Sequence, residues 1–169
     1  MKVTKLKLIL PSLIFVAILP FSSSAVEVKV EFIEGKKFSD YEMSGQSRKK
    51  SLKVLEKEML NLFTELSNEV IGKQGVLSVK VKNVDLPGNI RYGMGQTSHD
   101  IRVIDNATLF RLDFEFALKN AAGEVLKQGE HQLKEFTDTQ PSSLQMRNRS
   151  ALGYFEKPLK KWMKETFSE

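Results

Sequence analysis

The chain has 169 residues, 41% hydrophobic and 28% charged, a balance that suits one folded domain with a single core and excludes a disordered chain. Its lack of cysteine excludes disulfides, thiolate metal sites, thiol catalysis and a lipid-modified N-terminal cysteine. The formal net charge of +5 falls to +2 once Lys2, Lys5 and Lys7 leave with the leader described next, too little to imply a nucleic acid or other polyanion as partner.

Met1 to Ala25 reads as a secretory signal. Lys2, Lys5 and Lys7 supply the positive start, Leu8 to Phe21 an apolar run broken by Pro11 and Pro20, and Ser23-Ser24-Ala25 the small residues that a signal peptidase reads. The apolar run of about 14 residues falls short of the ~20 that span a bilayer, and no basic stop follows it. Cleavage after Ala25 is expected, leaving residues 26–169 as a single domain in the periplasm or outside the cell.

Val26 to Ile33 alternates, with Val26, Val28, Val30 and Phe32 on one face and Glu27, Lys29 and Glu31 on the other, so a half-buried strand is predicted. Glu34 to Gln46 is a long loop, tacked down by Phe38, Tyr41 and Met43. From Ser47 to Ile71 the spacing of Leu52, Leu55, Met59, Leu62, Leu66 and Val70 draws the apolar stripe of a helix. Ser47 is its expected N-cap, and Gly72 with Gly75 ends it. Gly75 to Val84 is the next strand, with Leu77, Val79 and Val81 inward.

Asp85 to His99 is a glycine-rich connection and Asp100 to Asp105 a short strand. Phe110, Leu112, Phe114, Phe116 and Leu118 then occupy every second position, which makes one face of a strand an aromatic-rich wall. Asn120 to Gly123 turns the chain, and Glu124 to Phe136 returns antiparallel, with a bulge expected at Gly129 to repair its register. Thr137 to Arg149 is polar. Leu152, Phe155, Leu159, Trp162 and Phe167 mark a last helix, expected to start at Pro158 because proline belongs in a first turn.

A hairpin with one apolar face is marginal alone, so the helices must lie on that wall. The expected fold is α+β: a two-layer sandwich whose mostly antiparallel sheet of about five strands carries the long helix and the C-terminal helix on one face.

Chemistry is sparse. His99 and His131 sit in no spacing that metal sites use, so neither is read as a metal ligand. No G-x-S-x-G marks a serine nucleophile. Gly93-Met94-Gly95 opens like a dinucleotide loop, but Ser98 stands at the third glycine, so no cofactor is implied. Asp85, Asp100 and Asp105 are candidates for paired-carboxylate hydrolysis of a glycan if they gather at one end of the sheet. Arg48, Lys49, Lys50 and Lys53 form a basic helix start that an anionic membrane surface would attract.

Several of these pieces carry a resemblance. Phe32, Phe38 and Asp40, then Asn83-Val84-Asp85-Leu86 with Gly88, Asp100-Ile101-Arg102-Val103, the Gly123 and Gly129 hairpin, and the ending Tyr154, Leu159 and Trp162 together resemble an uncharacterised bacterial secreted family, domain of unknown function 3016. Gly35 departs from an expected proline, and Pro158 interrupts what is usually a continuous helix. The resemblance implies a Gram-negative exported protein with no assigned activity, and it transfers no catalytic residue.

The function expected on these grounds is non-enzymatic binding of a protein or envelope component, with a small cell-wall hydrolase as the alternative. The loop from Asp85 to Asp100 is the first candidate surface, because long loops on rigid scaffolds carry function. Asp85, Arg91, Tyr92, His99, Asp100 and Arg102 are its candidate binding residues.

Overall fold

The computed structural model describes residues 25–72, 75–93, 100–105, 107–137 and 152–168. Strand β1 (Val26–Phe32) leads through a single 3-10 turn to helix α1 (Arg48–Val70), followed by β2 (Gly75–Asp85), β3 (Asn89–Arg91), β4 (Ile101–Val103), β5 (Leu109–Lys119), β6 (Val125–Phe136) and helix α2 (Gly153–Phe167). The main sheet runs β1-β2-β5-β6, parallel between β1 and β2 and antiparallel elsewhere. Strands β3 and β4 form a separate two-stranded ribbon.

Among the described residues there are therefore six strands in two sheets, against the one sheet of about five expected. The added strand, β3, is cut from the glycine-rich connection and has only three residues, too few to show an alternation. The α+β sandwich is as expected, with one apolar face covered by helices.

Helix α1 begins where the Ser47 hydroxyl accepts the Lys50 N–H, a side-chain cap on an otherwise orphaned donor. Its stripe buries Leu55, Met59, Phe63 and Leu66 completely, while Leu52, Leu62 and Val70 lie half-buried at its margins. The Phe63 ring meets Phe114 edge-on at 5.6 Å. Trp162 comes down from α2 onto the same wall, 4.8 Å from Phe114 and 5.1 Å from Phe116 between ring centres. Both helices thus converge on Phe114, and edge-to-face contacts of this kind add to the area they bury.

Two local expectations are corrected. The irregularity in the hairpin falls between Leu118 and Lys119, opposite Val125 to Lys127, and not at Gly129. Gly129 serves another purpose: a Cβ there would stand 3.3 Å from the Phe116 ring, so the missing side chain lets that ring lie flat over the strand. Helix α2 does not begin at Pro158 but runs through it from Gly153. Burial of Phe155, Leu159, Trp162 and Met163 along one stripe holds the turns on both sides of the proline in place.

The opposite face of the sheet is charged. Lys82 bridges Glu115 at 2.5 Å and Glu130 at 3.1 Å, a ladder across β2, β5 and β6. The hydrogen bond from Lys82 holds the Glu115 carboxyl below its usual range.

Candidate functional site

Where β2 ends, the loop before α1 and the β3–β4 ribbon rise on either side of it. The loop is stitched to β2 as a short parallel bridge: the Asp40 N–H donates to the Val84 carbonyl at 3.1 Å, and the Leu86 N–H donates to the Asp40 carbonyl at 2.9 Å. Phe38 and Tyr41 on either side of Asp40 are buried in the core and anchor this stretch of the loop. Phe32, Phe38 and Tyr41 stack edge to face in series.

Asp40 receives Arg102 from β4. Nη1 donates to Oδ2 at 2.9 Å and Nη2 to Oδ1 at 2.8 Å, a bidentate pair. The same guanidinium donates to the carbonyls of Pro87, Gly88 and Glu42 at 3.1, 3.0 and 2.7 Å. Its side chain is only 8% exposed. Gly88 completes the junction, since its φ is +79° and a Cβ would lie 2.1 Å from the Val103 carbonyl oxygen. Arg102 is thus the bolt that holds the ribbon against the loop, and it faces inward where a free binding residue would face out.

The bolted parts enclose an open cleft of about 540 Å³ lined by Asp40, Glu42, Asp85, Leu86, Ile90 and Tyr92, among others. Three carboxylates reach it, and they differ. Asp40 is held by Arg102, and Glu42 is paired with Arg48 at 2.5 Å. Asp85 forms no side-chain hydrogen bond or ion pair among the described residues. Burial pushes its carboxyl above the usual range, and the Arg111 guanidinium, its cross-strand neighbour, offsets this only partly. Beside it, Arg111 Nε and Asp113 Oδ1 are buried without a partner among the described residues. Neither residue lines the cleft itself.

The other candidate residues distribute around this centre. Tyr92 lines the cleft mouth and is 69% exposed. Arg91 is exposed at the end of β3. Asp100 accepts the Gly93 N–H at 3.3 Å and so braces the ribbon's own turn. His99 lies outside the described residues. Asp105 is exposed, and its backbone carbonyl accepts the hydroxyls of Thr108 and Thr137. Of the three aspartates considered for hydrolysis, only Asp85 lines the cleft; its companion there is Asp40.

The model of the family described as a protein of unknown function, DUF3016, matches residues 26–165. The chain belongs to this family. The match spans every element of the DUF3016 fold described above except the last two residues of α2. No curated protein matches the sequence. Among the described residues no helix is long and apolar enough to cross a membrane, and no group of three or more histidines, cysteines or carboxylates stands where it would hold a metal ion.

The basic start of α1 is partly committed. Arg48 donates to the Tyr41 hydroxyl at 3.0 Å and sits over its ring. Lys50 and Lys53 remain outward and line a shallow groove with Lys57. Asp40 and Arg111 were not singled out as site residues by their sequence context. Their partners lie 62 and 26 positions away, so only the folded chain brings them together.

Proposed function

We propose that this is an exported binding module whose cleft receives a cationic side chain from an extended segment of an envelope protein, seated against Asp85 with Tyr92 at the rim. The leader composition of residues 1–25 supports export and release into the periplasm after Ala25. The observation that carries the binding reading is the contrast among the three cleft acids: Asp40 and Glu42 are each ion-paired to an arginine, whereas Asp85, with Arg111 as its cross-strand neighbour, has no ion pair among the described residues. A half-buried carboxylate in an open cleft gains most from a partner that brings both charge and hydrogen-bond donors.

The test places a photo-crosslinking amino acid at Tyr92 in cells producing the full chain, beside a control carrying it at Lys57. An adduct specific to position 92 that disappears in Asp85→Asn is expected. An adduct insensitive to that substitution, or none at all, overturns the reading.

The hydrolase alternative is favoured by one feature, two carboxylates, Asp40 and Asp85, facing one cleft. Against it, both oxygens of Asp40 are occupied by Arg102, leaving no free base or nucleophile opposite Asp85. Release of soluble fragments from purified cell-wall glycan by the wild-type chain, lost in Asp85→Asn, would turn the choice toward catalysis.

A further inference from the structure

Strand β6 ends the main sheet. It pairs with β5 from end to end except at the bulged Leu126, and among the described residues no strand pairs with its other side. Twelve residues is long for an open edge, and this one lacks proline and is exposed almost throughout. Proteins normally shorten, cover or distort such an edge, because its free N–H and C=O groups invite another strand. Leu126 and Phe136, near its two ends, are 59% and 64% exposed.

We propose that β6 is a self-complementary edge on which a second copy of this chain adds antiparallel, joining two four-stranded sheets into one of eight strands about a two-fold axis. The pattern of the strand selects the register. Antiparallel partners must share a face, so only registers that keep alternate residues aligned are allowed. With His131 opposite His131 of the second copy, Leu126 meets Phe136, Lys127 meets Glu135, Gln128 meets Lys134 and Glu130 meets Gln132. Each exposed apolar end then covers the other, and Lys127, whose ammonium also donates to the Thr166 carbonyl of α2 at 2.5 Å, stands opposite Glu135 as an opposite-charge pair twice.

The neighbouring registers lose this. Centring on Glu130 sets that carboxylate against itself and leaves Phe136 beyond the partner strand. Centring on Gln132 carries Leu126 past the end of β6. An isologous contact of this kind uses up the β6 edge of both copies and closes at two, leaving only the shorter β1 at the outer edges of the joined sheet. A foreign strand would have no reason to match the length, the ends and the charge order together.

The chain has no cysteine, so two single-cysteine variants test the register directly. Differently tagged Leu126→Cys and Phe136→Cys chains are oxidised separately and mixed. A disulfide dimer carrying both tags is expected from the mixture, at least about tenfold over either alone, because like positions would lie some 30 Å apart at the rise of a strand. Light scattering on the cysteine-free chain is expected to give twice the monomer mass. Lys127→Glu is expected to weaken the dimer about tenfold and Lys127→Glu/Glu135→Lys to restore it, since each swap changes two symmetric cross-strand pairs. A monomeric mass at submillimolar concentration, or a dimer that cross-links equally in all three samples, overturns the proposal.

Discussion

The Arg102 guanidinium reaches back across 62 residues to grip both oxygens of Asp40, at 2.9 and 2.8 Å, and with the same two nitrogens holds three backbone carbonyls. The ribbon, the first loop and the end of β2 meet at this one group. A partly buried pair is costly to break from one side, because the other charge stays behind; here Nη1 and Nη2 are fully engaged and Nε alone is buried without a partner among the described residues.

Arg102→Ala is therefore expected to destabilise the fold by about 3 kcal/mol. Arg102→Lys recovers little, since an ammonium cannot reproduce the planar fork. Replacing both partners, as in Asp40→Asn/Arg102→Met, should cost less than Arg102→Ala alone. Urea denaturation of the four proteins measures this, and a double variant worse than both singles would show that the charge pair is not the organising contact.

Much of this architecture is legible in the residues. Alternation from Phe110 to Leu118 and the stripe from Leu52 to Val70 specify which faces are buried, because burial of one face leaves a period that no local interaction erases. Of the candidate surface residues, Asp85 and Tyr92 line the cleft. What could not be read is long-range or local to a few atoms. The inward turn of Arg102 depends on Asp40, 62 positions earlier. The hairpin bulge lies at Leu126, and Gly129 instead leaves room for the Phe116 ring opposite it, a contact visible only once the strands are paired.

Asp85 should trade stability for function. Burial raises its carboxyl, so the folded state resists ionisation more than the unfolded chain does. The contribution is favourable while the group stays protonated and is lost as pH rises through the folded-state value. Asp85→Asn should accordingly be more stable than wild type at pH 7, by on the order of 1–2 °C in Tm for a half-exposed group, and indistinguishable from it below about pH 3.5. Thermal melts at the two pH values decide it. A variant less stable at pH 7 would mean that Arg111 and unseen hydration outweigh burial at this carboxylate.

Pro158 is the sixth residue of α2, where the ring forfeits the hydrogen bond that an N–H would make to the Tyr154 carbonyl. The helix persists because Phe155 and Leu159, on either side, are fully buried. Pro158→Ala restores the bond and a better helix former, so a gain of about 1–3 kcal/mol is expected. Equilibrium unfolding in urea checks this. A loss on substitution would instead assign the ring a packing role under Tyr154.

His131 offers the sharpest pH signature. It lies on the inner face of β6, stacked on Trp162 with ring centres 5.3 Å apart and planes 28° from parallel, and meets Phe114 edge-on at 5.6 Å. Burial pushes its imidazole below the usual histidine range, while the Glu165 carboxylate pulls weakly the other way. The neutral ring is thus the form that fits, and protonation favours the unfolded chain. Stability from this site is fully present above the unfolded value, near 6.5, and drains away as pH falls through the lower folded value. Wild type should lose Tm between pH 7 and 5 more steeply than His131→Phe, which keeps an aromatic ring on Trp162 and has no proton to gain. The expected difference between the two slopes is on the order of a few degrees across that window. Trp162 fluorescence reports the same event, because it is the ring that the imidazolium would be forced against. Parallel slopes for the two proteins would mean that the imidazole titrates as freely folded as unfolded, and the stacked arrangement would not then be what buries it.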